Sequence, residues 1–239
     1  MKFIIKNSKV YIDFSCKKTE IFKYQLNDIT IFSIVKRFKE RRNHKIRPVG
    51  DNCPMLYAMK KADGLTTDQE TIELLYSYAE QCIDNYVFEC VAFDAIILIP
   101  SKHDIGRRLA SILHEKFNIP VIDDFLKKKS PQKLLEDIKD DQTIPQSSKQ
   151  AIRTALRNCT NGLSVKEIAP KHRCHLSIFN GDHVKLPPDT KHVLLVDDIS
   201  SSGSTFESAA KVIKEHCKQV KLISAMTLFS PIKPVIIKN

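Results

Sequence analysis

Apolar residues along the chain gather in short β-branched and aromatic runs separated by polar turns, with three-to-four-residue spacing between several of the runs. The opening alternates. Phe3-Ile4-Ile5, the turn pair Asn7-Ser8 and then Val10 to Phe14 predict a hairpin or two edge strands. Ile29 to Val35 is rich in β-branched residues and predicts another strand or a short buried helix. Arg47-Pro48-Val49-Gly50-Asp51-Asn52 has turn chemistry and marks a boundary near residue 50. Thr67 to Asn85 carries Ile72, Leu75, Tyr76 and Ala79 at helical spacing. Asp68 and Glu70 stand near its start, where carboxylates suit the helix dipole.

The later chain alternates strand and helix. Ile96 to Ile99 is a short apolar run closed by Pro100, and Gly106 to Phe117 follows with Leu109, Ile112, Leu113 and Phe117 on one helical face. Asn118 to Asp123, Val193 to Val196 and Val220 to Phe229 predict three more strands, with a helix from about Thr205 to Cys217 between the last two. Apolar strands separated by helices predict an α/β fold: a parallel sheet with helices on both faces. Residues 127–185 break the alternation, with one predicted helix over Ser147 to Asn158, an Asn161-Gly162 turn and polar connections. That stretch is too long for a simple loop. It is expected to be an inserted, partly mobile hood over the open end of the sheet. The expected organisation is a small β-containing region over 1–50 and a core over 51–239 that carries this insertion.

Composition changes the picture little. Hydrophobic residues make up 42% of 239 and charged residues 28%, ordinary values for a globular domain. No run spans a bilayer, and the apolar stretch after Met1-Lys2 is too short for a signal-peptide core, so a cytoplasmic location without a membrane partner is expected. Seven cysteines without a C-x-x-C pair suggest neither a disulfide framework nor a zinc ribbon. His172-Arg173-Cys174-His175 has metal-ligating atoms but no second half at zinc spacing. The formal charge of +10 favours polyanions without choosing among them. Much of the excess lies in the run Lys36 to Arg47. It reads either as a solvated helix end or loop, or as a contact for nucleic acid or a protein partner. The run is expected to lie outside any small-ligand site. A homo-oligomer is a further candidate assembly.

The chemistry concentrates in Val193-Leu194-Leu195-Val196-Asp197-Asp198-Ile199-Ser200-Ser201-Ser202-Gly203-Ser204-Thr205. A buried strand ends in two acids, and a small-residue loop then opens a helix. Ligands of open α/β sheets bind beyond the carboxyl ends of the strands, and a helix start offers unpaired N–H groups to a phosphate. Gly203 permits close backbone approach, and Ser201, Ser202, Ser204 and Thr205 add hydroxyl donors. The acids would repel a phosphate, but they suit a ligand that also presents a vicinal diol. A ribose 5-phosphate unit has both features. A serine-rich helix cap or an acidic metal site would use some of the same residues, but not the whole ordered set.

Val193 to Thr205 resembles the phosphoribosyl pyrophosphate signature of type I phosphoribosyltransferases. The resemblance implies that Asp197 and Asp198 hold the ribose hydroxyls, that Ser201 to Thr205 cradle the 5-phosphate, and that Mg²⁺ accompanies the pyrophosphate, meeting the two aspartates through ligand or water. Ser200 departs from the branched apolar residue usual in the family. Ser201 stands where purine-salvage members carry an aspartate, which argues against a hypoxanthine-guanine type. Ile96 to Pro100 followed by Ser101-Lys102-His103-Asp104 resembles the family's first strand and pyrophosphate loop. There Ser101, Lys102, Arg107 and Arg108 are either pyrophosphate contacts or ordinary surface groups. The layout from Ile96 onward, with basic Lys127-Lys128-Lys129 and Arg157-Asn158, is similar to the ComF-like branch, without that branch's cysteine-rich zinc segment.

The resemblance covers roughly Ala95 to Phe229. It implies an enzyme that transfers phosphoribose to a nitrogen acceptor and releases pyrophosphate. The alternative is a sensing or interaction module that keeps the fold and the phosphate loop, binds the same ligand or a nucleotide, and acts with nucleic acid or a protein partner.

Overall fold

A computed structural model describes residues 1–15, 18–37, 49–86, 92–157, 168–173, 175–181 and 186–231. The expected opening hairpin is present as β1 (Lys2–Lys6) and β2 (Lys9–Asp13), paired antiparallel. Its two turn residues, Asn7 and Ser8, both have positive φ, the geometry that matches the right-handed twist of a two-residue hairpin. Next comes a second hairpin, β3 (Phe22–Leu26) and β4 (Ile29–Val35), which settles the run 29–35 as strand.

Two helices then precede the alternating part of the chain: α1 (Pro54–Met59) and α2 (Gln69–Asn85). Asp68 caps α2, its carboxylate accepting the Thr71 N–H at 2.7 Å. β5 (Ala95–Leu98), α3 (Ile105–Phe117) and β6 (Val121–Ile122) follow as expected, with β6 only two residues long. Asn118 ends α3 in the left-handed conformation.

Residues 127–185 hold more regular structure than their polarity suggests. They contribute β7 (Lys127–Lys128), α4 (Pro131–Asp140), α5 (Gln146–Arg157), α6 (Pro170–Arg173) and β8 (Phe179–Asn180). α5 matches the expected helix, whereas α4 replaces an expected polar connection. Ser130 caps α4 by accepting the Lys133 N–H, and Pro131 occupies its first turn. Leu134, Ile138, Ile152 and Leu156 from α4 and α5 are buried in the core beside the sheet, so these helices cover a face of the sheet. The fold closes with β9 (His192–Ile199), α7 (Ser204–His216) and β10 (Leu222–Phe229).

The central sheet has six strands in the order β3-β4-β10-β9-β5-β6. All neighbours are parallel except the β3–β4 pair, so the sheet is mixed and mostly parallel. The boundary expected at residue 50 does not divide the sheet, because β4 hydrogen-bonds along β10 from Thr30↔Ser224 to Val35↔Phe229. Side chains alternate between two cores. Ile96, Leu98, Leu194 and Val196 join one core with α1, α2 and α3. Ile97, Val193, Leu195 and Ala225 join the other with α4, α5 and α7. Each fully buried aliphatic residue contributes about 1.5–3 kcal/mol, so the two cores together hold the strand ends rigidly in register. Among the described residues no helix is long and apolar enough to cross a membrane.

Candidate functional site

The strand order reverses between β5 and β9. From β5 the chain passes through α3 on one face to β6. From β9 it passes through α7 on the other face to β10, on the opposite side of the pair. A crevice therefore opens between the carboxyl ends of these two strands, the place where parallel α/β sheets take ligands. Asp197 and Asp198 stand at that point. Both lie inside β9, which runs three residues past the expected Val193 to Val196 and carries the acids within the strand.

Being consecutive in a strand, the two carboxylates leave it on opposite faces. Asp198 turns toward α1, where Lys60 Nζ meets its Oδ2 at 2.5 Å, and its side chain is only 6% exposed. Cys53 and Tyr76 lie close enough to feel its charge. Burial pushes the Cys53 thiol up to about 12, which makes it inert. The Tyr76 hydroxyl donates to the Ile105 carbonyl at 3.0 Å and so fixes the start of α3.

Asp197 turns to the other face. One of its oxygens accepts the Asp198 N–H at 2.8 Å. It keeps some solvent-accessible surface, yet protein surrounds it densely. Burial first, and the Asp198 charge second, push its carboxyl up to about 7, with Lys60 and Lys128 opposing. Lys128 is exposed, yet burial of its ammonium lowers its pKa against the pull of Asp197 and Asp198. Lys102 and Lys60 add their charges at the same place. His103, in the loop after β5, is held below its usual value by burial and then by Lys60. Two acids thus face three lysines and a histidine that favours the neutral form. Neither Lys60, in an ordinary Met-Lys-Lys-Ala context, nor His103 was singled out by the sequence.

The backbone completes the crevice. A side chain at Gly106, in the first turn of α3, would come within 3.3 Å of the Asp197 carbonyl carbon, so glycine lets the helix start lie close on β9 without a shift of the backbone. Gly203 has φ +82° and caps α7, and an added methyl there would lie 2.2 Å from Leu26 Cδ2. The loop is self-bonded: the Ser202 N–H donates to Ser201 Oγ at 2.7 Å, and the Ser202 and Ser204 hydroxyls meet at 3.0 Å. Thr205 sits in the first turn of α7, where backbone N–H groups have no helical acceptor.

The remaining expected contacts divide. Lys102 is at the crevice, and Ser101 Oγ accepts the His103 N–H. Arg107 instead pairs with Asp123 at 2.7 Å, and Arg108 pairs with Glu73 and stacks on Tyr76, 4.1 Å from its centroid. Both arginines point outward because α3 buries Leu109 and Ala110 and so turns residues 107 and 108 toward α2 and the β6 side.

Of the basic run Lys36–Arg47, only the first two residues are described. Residues 38–48 lie outside the described residues, but Arg37, two positions past β4, is 8% exposed and sends its guanidinium toward the Ser200 carbonyl. Beneath it the hydroxyls of Ser33 and Thr227 meet at 2.7 Å. The buried Tyr24 hydroxyl lies near these groups and Ser200 without reaching hydrogen-bond geometry with any of them.

Among the described residues no three acidic, histidine or cysteine side chains gather as metal ligands. A groove of about 540 Å³ follows the outer face of α7 from Ser204 to Lys218, but neither Asp197 nor Asp198 lines it. Neither comparison, with protein-family models or with curated proteins, finds a match to this chain.

Proposed function

We propose that the chain binds phosphoribosyl pyrophosphate with Mg²⁺ and transfers its phosphoribose to a nitrogen acceptor, with release of pyrophosphate. One observation carries the reading. At the switch point of the sheet, two strand-borne acids, a glycine-capped helix start and three lysines converge, which suits a ligand with hydroxyls in the middle and phosphates at both ends. The α7 start and its serines face the 5-phosphate, the acids face the ribose diol, and Lys60 and Lys102 face the pyrophosphate. In the reaction the bond from C1 of the ribose to the pyrophosphate oxygen breaks, its electron pair leaves with pyrophosphate, and the acceptor nitrogen bonds to C1. Positive charge develops on the ring, and the carboxylates beside it stabilise that charge. The donor set fits a metal that arrives on the ligand: Asp197 has no ion-pair partner within contact distance among the described residues, and no protein cage is present. Mg²⁺ would neutralise charge on the departing pyrophosphate.

One observation favours a second reading, ligand binding without turnover. Arg107 and Arg108 are committed to Asp123 and Glu73, and Lys60 to Asp198, so the pyrophosphate clamp is lean. The test is calorimetric titration with phosphoribosyl pyrophosphate in Mg²⁺ buffer, followed by a pyrophosphate-release assay across nitrogen acceptors. Micromolar binding with release is expected. Binding without release would favour the second reading, and no binding would sink both.

A further inference from the structure

We infer that Arg37 is a positioning residue for the phosphate loop, acting from below through the Ser200 peptide; this rests on the phosphoribose reading. Arg37 reaches three groups. Its Nε–H donates to the Ser230 carbonyl, its backbone N–H donates to Ser230 Oγ at 3.0 Å, and its outer nitrogen donates to the Ser200 carbonyl at 3.4 Å. Ser230 in turn donates its N–H to the Val35 carbonyl at 2.9 Å, and the Ser200 N–H donates to the Phe229 carbonyl at 3.0 Å. The guanidinium therefore ties together the carboxyl ends of β4, β10 and β9, three neighbours in the sheet.

Two features separate this from a simple clasp. The first is charge. Among the described residues no carboxylate comes within ion-pairing distance of Arg37, although an unpaired buried cation is costly. Its floor is polar, made by Ser33, Thr227 and Tyr24, but it holds no anion. A net positive charge is thus stored one peptide behind the loop that receives the phosphate. The second is direction. No peptide bond of the described chain is cis, and in a trans peptide the C=O and N–H point opposite ways. With the Ser200 carbonyl turned to Arg37, the Ser201 N–H is turned away from it, to the exposed side where Ser201 and Ser202 stand. Arg37 sets the aim of the first loop amide and adds field of the right sign, without touching the ligand.

The position lies at the edge of the basic run that the sequence reads either as a solvated helix end or loop or as a contact for nucleic acid or a protein partner. The topology singles it out, because β4 enters the sheet next to β10.

The experiment separates a loop role from a fold role by using two ligands. Ribose 5-phosphate needs the loop, whereas inorganic pyrophosphate needs only the lysine side of the crevice. In Arg37→Lys, which keeps the charge but loses the fork, ribose 5-phosphate affinity should fall about tenfold, while pyrophosphate affinity stays within about twofold. Equal loss of both, or no loss of either, overturns the inference. In the unaltered protein, ribose 5-phosphate should shift the ¹⁵N–¹H resonances of Arg37 Nε and the Ser201 amide, and pyrophosphate should leave them in place. This reading does not depend on the variant folding, and unmoved Arg37 and Ser201 signals with bound ribose 5-phosphate overturn the inference. If the parent binds pyrophosphate but no phosphate monoester, the phosphoribose reading itself fails. If the parent binds both and Arg37→Lys does too, only the role of Arg37 fails.

Discussion

The two faces of β9 treat identical side chains differently. On the α1 face, Asp198 is buried and answered by Lys60 at 2.5 Å. On the α7 face, Asp197 is crowded by protein, has no ion-pair partner at contact distance among the described residues, and its carboxyl is driven up. One aspartate is paired with a lysine, and the other has no such partner among the described residues. The sequence pair Asp-Asp reads as a single acidic unit serving one ligand. The period of two in a strand splits it.

The largest test of this difference is Asp198→Asn. Removing one partner of a buried ion pair leaves the other uncompensated, so unfolding free energy should drop by about 2–4 kcal/mol. Adding Lys60→Met to that variant should restore most of the loss. Urea denaturation of the single and double variants measures both steps, and additive losses would show that Lys60 and Asp198 do not act as a pair.

Asp197→Asn should do the opposite. The unfolded chain ionises this carboxyl near its ordinary value, and the folded chain holds the proton to higher pH. The folded state thus binds more protons between about pH 4 and about 7, so its stability falls as pH rises across that range: the contribution is present in full below it and lost above the raised value. Asparagine removes that penalty. The variant should match the parent at pH 4 and exceed it by about 1–3 kcal/mol at pH 8. Melting curves across that range check the sign. A variant less stable than the parent at pH 8 would place Asp197 with Asp198, as an architectural acid.

Gly203→Ala probes the loop that belongs to the Asp197 side. Positive φ and the close Leu26 side chain should cost about 1–2 kcal/mol of stability and reduce binding of phosphate esters together with it. The smallest expected effect is Ser202→Ala. Its hydroxyl is one of several donors, and backbone N–H groups share the contact, so ligand affinity should fall by about 0.5–1 kcal/mol with little change in melting temperature.

Much of the scaffold was legible. Ala95 to Leu98, Val193 to Val196 and most of Ile223 to Phe229 are apolar because both faces of these strands are covered, and burial leaves that mark on sequence. Val193 to Thr205 was legible as a strand, loop and helix start. Pairing was not. Nothing local in Ile29 to Val35 says that it lies beside β10, so residues 1–50 read as a separate region. α4 was missed although Ser130-Pro131 is a helix-start signal, because its two buried residues, Leu134 and Ile138, make a narrow stripe among charges. Lys60 and Arg37 were invisible as site residues for the same reason as the pairing. A lysine after a six-residue helix and an arginine in a basic run acquire meaning only from the strands they meet.

The place of β10 in the sheet has a consequence for how the molecule is made. It is the last strand of the sheet to be synthesised, yet it sits between β4 and β9. Until Leu222 to Phe229 emerge from the ribosome, β4 and β9 each present an open, apolar parallel edge with no neighbour. Such edges invite pairing with other nascent chains. The sheet must also wait for a contact between residues some two hundred positions apart, which slows closure. A chain halted before β10 should therefore be a client for chaperones, carrying Asp197 and Asp198 on an exposed edge, with Arg37 far from the loop it supports in the finished fold.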